Sequence, residues 1–180
     1  MNDTGFWVFG YGSLLWRPGF DYRESRLARL RGWRRAFCMT SIHYRGTPQA
    51  PGLVLALDRD PQAECAGLAF HVGPELAEQT LDYLRARELV SSAYHEIRQR
   101  VQLDDGRAVE ALCYVVDPGH AQYAGHLPLE DQARIIASAV GPAGPNCDYL
   151  FNTATHLEDL GVHDPDLARL AGLVRTLLGD

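Results

Sequence analysis

The stretch that decides how this chain folds lies near its start and reads Trp7-Val8-Phe9-Gly10-Tyr11-Gly12-Ser13-Leu14-Leu15-Trp16-Arg17-Pro18. A short apolar run typical of a buried strand passes directly into two glycines that flank a tyrosine, followed by a serine and a second apolar run. Glycines at alternate positions let a ligand approach backbone N–H groups with no Cβ in the way. The pattern predicts a strand and then a loop that can bind a carboxylate or another small anion, although the same composition is typical of an ordinary turn.

Two well-known glycine motifs do not match this stretch. The dinucleotide-binding pattern G-x-G-x-x-G requires a third glycine at the position of Leu15. The nucleophile pattern G-x-S-x-G requires a serine between glycines, whereas Ser13 directly follows Gly12. The sequence therefore supports neither a dinucleotide-binding loop nor a serine-hydrolase nucleophile here.

The size and charge of the chain exclude several classes of protein. A chain of 180 residues fits one domain, so we expect a single domain over residues 1–180. The net charge of −6 argues against nucleic acid as a partner. No apolar run approaches the roughly 20 residues that cross a bilayer, and the first residues lack the features of a signal peptide. We expect a cytoplasmic protein with no membrane or nucleic-acid partner, either a monomer or a homodimer.

The cysteines and histidines show no pattern that would hold a metal ion. The four cysteines are scattered and form no C-x-x-C pair, which in a cytoplasmic protein indicates reduced thiols. The seven histidines form no H-E-x-x-H motif and do not cluster with cysteine at the spacing of a zinc site. We expect neither a metal nor another cofactor.

Strand patterns come first in the chain and helical patterns come last. Strands are predicted at 6–9, 32–43, 53–57, 65–72, 94–103 and 108–116, with an irregular segment at 11–30. Helices are predicted at 74–90, 129–140, 146–160 and 164–178, the last with Asp164 as its N-cap. This order favours an α+β domain built on an antiparallel sheet.

Four short motifs, in order, resemble the ChaC family of glutathione-specific γ-glutamylcyclotransferases. The first is Phe9-Gly10-Tyr11-Gly12-Ser13-Leu14-Leu15-Trp16, followed by Arg17-Pro18-Gly19-Phe20. The others are Arg45-Gly46-Thr47-Pro48 with Ala50-Pro51-Gly52, then Arg87-Glu88 with Tyr94, and then Gly141-Pro142 through Gly144-Pro145-Asn146 to Tyr149-Leu150. Together they extend over nearly the whole chain, so the resemblance is specific although each motif alone is short.

The resemblance implies both a fold and a reaction. The fold is the γ-glutamylcyclotransferase-like α+β fold, a small, partly closed antiparallel β-barrel flanked by helices. In the reaction, the α-amine of a γ-glutamyl group attacks its own γ-carbonyl, so that glutathione gives 5-oxoproline and Cys-Gly. Because nucleophile and electrophile share one molecule, the attack needs positioning and proton transfer rather than a cofactor or a metal.

The resemblance also assigns candidate site residues, with Glu88 as the general acid/base. From the residues alone, a glutamate in an arginine-rich helix is usually a surface ion pair, and pairing with Arg85 or Arg87 would lower its pKa. The substrate-binding candidates are Gly10, Tyr11, Gly12, Ser13, Leu14, Leu15, Arg34, Tyr94 and Tyr149.

Several of these assignments have alternatives. Arg34 and Arg35 are neighbours on a predicted strand and point to opposite faces, so that one of them can reach a substrate carboxylate, and Arg45 is a further candidate. Tyr149 can equally be an aromatic residue of a helix core. The sequence departs from the common family pattern at Ser92-Ala93-Tyr94, where many relatives have Gly-Gly-Tyr, and at Asp148, where many have glutamate. These departures concern substrate preference more than reaction type.

Two other functions stay open at this stage. One is a cyclotransferase for other γ-glutamyl amines or γ-glutamyl amino acids. The other is a non-catalytic module that binds γ-glutamyl groups, and Glu88 argues against it because a binding module needs no proton shuttle.

Overall fold

The computed structural model describes residues 4–180, which form two compact units. The first unit consists of the chain up to Arg35 together with Leu57–His120, and the second of Ala36–Ala56 together with Ala121–Asp180. The expectation of one domain over the whole chain stays a prediction.

Five strands form a closed barrel in the order β1-β3-β2-β4-β5. The strands are β1 (Phe6–Gly10), β2 (Glu24–Ser41), β3 (Gly52–Val72), β4 (Tyr94–Leu103) and β5 (Ala108–Val116). Neighbouring strands are antiparallel in the pairs β1–β3, β2–β4 and β4–β5, whereas β5 pairs in parallel with β1 and with one residue of β3. β2 and β3 are long and belong in part to each unit.

In the first unit a helix covers the apolar residues that the barrel strands present. A 3-10 turn at Pro74–Leu76 leads into α1 (Ala77–Glu88), which buries Leu84. Leu84 belongs to an apolar cluster that also contains residues from the barrel strands and from the loop after β1. Its buried members are Val8, Leu14, Val72, Leu84, Leu112 and Tyr114.

The second unit contains the remaining helices. These are α2 (Leu129–Ser138), α3 (Asn146–Asp159) and α4 (Pro165–Leu178), with a small hairpin of β6 (Val140–Gly141) and β7 (Gly144–Pro145) before α3. The Asp164 carboxylate accepts a hydrogen bond from the Leu167 N–H at 3.1 Å, which confirms Asp164 as the N-cap of α4.

A buried side-chain amide joins α3 to β3 within the second unit. Asn146 Oδ1 accepts a hydrogen bond from the Leu53 N–H at 2.8 Å, and Asn146 Nδ2 donates one to the Leu53 carbonyl, also at 2.8 Å. A side chain thus supplies Leu53 with the two bonds that a neighbouring strand would otherwise make. Gly52 allows this approach, because a Cβ there would lie only 2.8 Å from Asn146 Oδ1.

The α+β class and the barrel are confirmed, and the details differ from the sequence prediction in three places. β2 begins at Glu24, inside the segment predicted to be irregular, because its charged residues lie on the exposed face of a strand whose other face holds Ala28 and Leu30. The strands predicted at 53–57 and 65–72 are parts of the single strand β3. The barrel is closed and includes parallel pairs of β5 with β1 and with β3, a detail that the prediction of a small, partly closed antiparallel barrel did not contain.

Within residues 4–180, none of the helices combines the length and apolar composition of a membrane span.

Candidate active site

The loop that follows β1, residues 11–18 and hereafter the β1 loop, is folded onto the barrel. Its first part is a 3-10 turn at Ser13–Leu15, in which the Leu15 N–H donates to the Gly12 carbonyl at 2.9 Å. The side chains of Leu14 and Leu15 are buried. A Cβ at Gly10 would lie 3.1 Å from the Leu14 Cβ, so a larger residue at this position would crowd the packed Leu14 side chain. The N–H groups at the start of a 3-10 turn have no partner within the turn itself.

Arg35 fixes the beginning of the β1 loop. Its Nε donates to the Tyr11 carbonyl at 2.7 Å, and its Nη2 donates to the Ala66 carbonyl. Arg34 points to the other face of β2, where its Nη2 lies 3.8 Å from Oδ2 of the buried Asp58. The structure therefore brings Arg35 to the loop, and it places the predicted candidate Arg34 beside a carboxylate of the protein itself.

Arg87 joins α1 to the rest of the β1 loop. Its Nη1 donates to the carbonyls of Arg17 at 2.6 Å and Pro18 at 3.0 Å, and lies 3.1 Å from the Tyr83 hydroxyl. Its Nη2 donates to Ser13 Oγ at 3.0 Å. One guanidinium thus fixes the loop at both of its ends, in the rigid fork geometry that distinguishes arginine from lysine.

Glu88 is the last residue of α1, and its side chain is only 17% exposed. Burial raises its pKa, the charge of Arg87 lowers it, and burial prevails, so that the pKa of Glu88 lies above the ordinary value of 4.5. Arg87 Nε lies 3.5 Å from Glu88 Oε1. A carboxyl group with a raised pKa is suited to take up a proton and to return it.

Arg85 does not pair with Glu88, although the sequence left this open. Its Nε and Nη2 donate to the two carboxylate oxygens of Glu96 at 2.9 and 3.1 Å. The charge of Arg85 is therefore directed at Glu96 on β4, and the two arginines of the helix end have different partners.

Tyr94 begins β4 and lies opposite Val116 of β5. Two residues further along, Glu96 lies opposite Tyr114, and residues two apart on a strand share a face. Tyr94, Glu96 and Tyr114 therefore lie on one face of the β4–β5 pair. No sequence pattern singles out Tyr114, because it stands in the continuous apolar run of β5.

Tyr149 lies on α3, in the second unit. Its hydroxyl accepts a hydrogen bond from the Leu55 N–H at 3.3 Å, and its ring meets that of Phe37 edge to face at 5.8 Å between centroids. The Arg45 guanidinium lies 5.9 Å from the ring centroid. These contacts support the reading of Tyr149 as a packed aromatic of the helix core, and its contact with substrate stays a prediction.

None of the four cysteines is part of a disulfide, and burial raises the pKa of the Cys113 thiol to about 12. Such a thiol is not a nucleophile at neutral pH, because the thiolate is the reactive form. In residues 4–180, no three side chains of histidine, cysteine, aspartate or glutamate are grouped as metal ligands would be.

Comparison with known proteins finds relatives along nearly the whole chain. The family described as ChaC-like protein matches residues 6–177. The glutathione-specific gamma-glutamylcyclotransferase of Escherichia coli K12 is 38% identical over 179 residues, which cover 99% of this chain and 77% of that protein. The human glutathione-specific gamma-glutamylcyclotransferase 1 is 35% identical over 181 residues, covering 98% of this chain and 82% of the human protein.

A solved structure shares the fold. The crystal structure of a yeast gamma-glutamylcyclotransferase specific to glutathione superposes with a TM-score of 0.86 at 24% sequence identity, and covers 96% of each chain. At that identity the superposition shows the arrangement of strands and helices.

Proposed function

The chain belongs to the ChaC-like family, and on this premise we propose that it is a glutathione-specific γ-glutamylcyclotransferase, a lyase that converts glutathione to 5-oxoproline and Cys-Gly. The proposal is supported by relatives of that name in a bacterium, a fission yeast and a mammal, at 34–38% identity over at least 92% of the chain.

The chemistry is a cyclisation within the substrate. The α-amine nitrogen of the γ-glutamyl group forms a bond to the γ-carbonyl carbon, and the amide bond from that carbon to the cysteine nitrogen breaks. The amine loses a proton as it attacks, and the cysteine nitrogen gains one as it leaves. Holding the reacting atoms in an aligned geometry can supply roughly 7–11 kcal/mol of the barrier reduction.

We assign the proton transfers to Glu88, and its burial is the observation that carries this assignment. A solvated carboxylate is too weak a base to remove a proton from an ammonium group efficiently, whereas burial brings its pKa closer to that of the amine. Glu88 is mostly buried, its pKa is raised, and the nearby Arg87 charge does not cancel this effect. The same carboxyl group then protonates the leaving cysteine nitrogen.

The β1 loop is assigned to binding of the γ-glutamyl group through its backbone N–H groups. Arg35 fixes the loop at Tyr11, and Arg87 fixes it at Ser13, Arg17 and Pro18. A loop held at these points loses little conformational entropy when a substrate binds, so it is preorganised. Because Arg87 is adjacent to Glu88 in the chain, the loop and the proposed base are held by one short segment of α1.

The test is to incubate the purified protein with glutathione and to measure 5-oxoproline and Cys-Gly. The proposal predicts equal amounts of both products from the wild type, and almost none from Glu88→Gln. A panel of γ-glutamyl amines and γ-glutamyl amino acids, run alongside, would reveal the related cyclotransferase by faster turnover of one of these compounds. Binding of glutathione without 5-oxoproline formation would identify a non-catalytic module and refute the proposal.

A further inference from the structure

Tyr114 carries a buried polar group that the assignments above do not use. Its side chain is 1% exposed and belongs to the apolar cluster that includes Leu14 of the β1 loop and Leu84 of α1. Within residues 4–180, the Tyr114 hydroxyl has no hydrogen-bond partner. An unpaired buried hydroxyl destabilises a fold, so an atom of this kind indicates a place where a ligand supplies the missing bond.

The position of the hydroxyl connects it with the proposed base. Leu84 and Leu89, which lie on either side of Glu88 along the chain, both pack against the same cluster as Tyr114. Burial is the main cause that raises the pKa of the phenol, the carboxylates of Glu96 and Glu88 raise it further, and the charge of Arg85 opposes them. The phenol is therefore neutral at all physiological pH values, with one donor and two acceptor sites.

The surrounding charges select the kind of ligand group that can bind there. Glu96 lies directly opposite Tyr114 on the neighbouring strand, and Glu88 acts on the hydroxyl from the end of α1. Arg85 balances the charge of Glu96, so the Glu88 carboxylate is the group that disfavours a substrate carboxylate here and favours a cationic or hydrogen-donating group. In a γ-glutamyl substrate that group is the α-amine, which must lie near Glu88 if Glu88 is to take its proton.

From this arrangement we propose that the Tyr114 hydroxyl accepts a hydrogen bond from the α-amino group of the γ-glutamyl substrate and orients that amine for attack. The inference rests on the proposed function and adds the residue that recognises the nucleophile. A substrate bound with its amine on Tyr114 presents one N–H to the phenol and another to Glu88, so that the nitrogen lone pair is freed toward the γ-carbonyl when Glu88 takes the proton.

The test compares two ligands in the wild type and in two variants. Tyr114→Phe removes only the hydroxyl, and Tyr22→Phe removes the same atom from an exposed tyrosine of the first unit as a control. The ligands are glutathione and its deamino analogue, in which hydrogen replaces the α-amino group. We expect kcat/KM for glutathione to fall about 10- to 100-fold in Tyr114→Phe, as for a hydrogen bond to a charged group. The inhibition constant of the deamino analogue should change less than about twofold, because that ligand lacks the group that the hydroxyl binds.

The melting temperature of Tyr114→Phe separates a role in substrate binding from a role in supporting the fold. Because the hydroxyl is unpaired in the free protein, Tyr114→Phe should melt at the same or a higher temperature than the wild type. A variant that melts lower, or that weakens both ligands equally, would show that the hydroxyl supports the fold and would overturn the inference, as would unchanged kinetics on glutathione. If the wild type itself forms no 5-oxoproline, the proposed function fails, and calorimetric binding of the two ligands to both proteins still decides the role of Tyr114.

Discussion

Arg87 donates a hydrogen bond from its Nη2 to the Ser13 hydroxyl at 3.0 Å, and this contact joins the end of α1 to the β1 loop. The Nε of the same guanidinium lies 3.5 Å from Glu88 Oε1. One side chain therefore influences both the loop that we assign to substrate binding and the pKa of the carboxyl group that we assign to proton transfer. Its substitution should change two kinetic quantities at once.

Arg87→Met keeps the apolar stem but removes the charge and the hydrogen bonds to the loop. We expect kcat/KM to fall about tenfold or more, chiefly through KM, because charged hydrogen bonds contribute roughly 1.5–3 kcal/mol each. The acidic limb of the kcat/KM profile should move to higher pH, because the Arg87 charge lowers the pKa of Glu88. Arg85→Met is the matched control, since Arg85 pairs with Glu96. An acidic limb that moved equally in both variants would contradict a specific effect of Arg87.

Glu88→Gln keeps the size of the side chain but cannot accept a proton. General acid/base catalysis contributes about 10²–10⁴-fold, so kcat should fall by at least about 10²-fold with little rise in KM. Glu88→Ala should be no more active. Steady-state rates of 5-oxoproline formation measure both quantities.

Gly12→Val provides the contrast to Glu88→Gln. A side chain at this position of the β1 loop should hinder the approach of substrate to the backbone and act mainly on KM, with the fold checked by circular dichroism. Near wild-type turnover in Glu88→Gln would instead show a structural carboxylate, and Glu64, Glu75, Glu78 and Glu96 would be tested next.

Glu88 should also lower the stability of the folded protein at neutral pH. Its folded pKa lies above the ordinary value of 4.5, so between these two values the folded protein holds a proton that the unfolded chain releases. Stability is therefore lost as pH rises through this window, and it stays lost above it. We expect Glu88→Gln to melt higher than the wild type at pH 7, and the difference to shrink below pH 4.5. A difference that does not depend on pH would contradict the raised pKa.

Asn146→Asp should destabilise the second unit. The substitution replaces the amide donor to the Leu53 carbonyl with an oxygen and places a charge in a buried site. Leaving a buried partner unsatisfied costs about 1–3 kcal/mol, and more where a charge is involved, so we expect a loss of at least about 2 kcal/mol in urea unfolding. Asn152→Asp makes the same chemical change at an exposed position of α3 and should cost less than about 0.5 kcal/mol. Equal effects of the two substitutions would argue against the role of the buried amide.

Replacement of the four cysteines should reduce stability and leave the chemical step intact. Cys38, Cys65 and Cys113 are buried, so smaller or polar side chains there disturb packing. The nucleophile of the reaction is the amine of the substrate, so no thiol and no Ser13 hydroxyl forms a covalent intermediate. Mass spectrometry of the protein during turnover should find no acyl adduct, and an adduct on any cysteine or on Ser13 would refute the mechanism.

The elements that the sequence predicted well are those whose signals are local. β4 and β5 have the predicted bounds, because an alternating pattern before the turn Asp104-Asp105-Gly106-Arg107 and an apolar run after it indicate a hairpin. The start of β2 at Glu24 was missed, because its regular structure comes from pairing with distant residues such as Leu103 rather than from its own pattern.

In the candidate site, too, local sequence motifs could be recognised, whereas contacts that depend on the three-dimensional fold could not. The β1 loop and the Arg87-Glu88 pair could be proposed because they are short contiguous motifs, and their roles in binding and proton transfer stay predictions. That Arg35 rather than Arg34 contacts the loop could not be predicted from the sequence, since which face of β2 meets the loop depends on the register of the barrel. The unpaired hydroxyl of Tyr114 was also beyond prediction, because a buried tyrosine in an apolar strand usually has its partner, and only the three-dimensional surroundings show that this one does not.

The side-chain amide of Asn146 also affects how readily the chain can pair with other molecules at high concentration. Exposed strand edges recruit the edges of other molecules through their free N–H and C=O groups, which is a common origin of aggregation. At Leu53 both groups are already occupied by one side chain, so a strand from another copy finds no donor and no acceptor there. The same two bonds that attach α3 to β3 thus also keep the Leu53 backbone from pairing with a strand of another molecule.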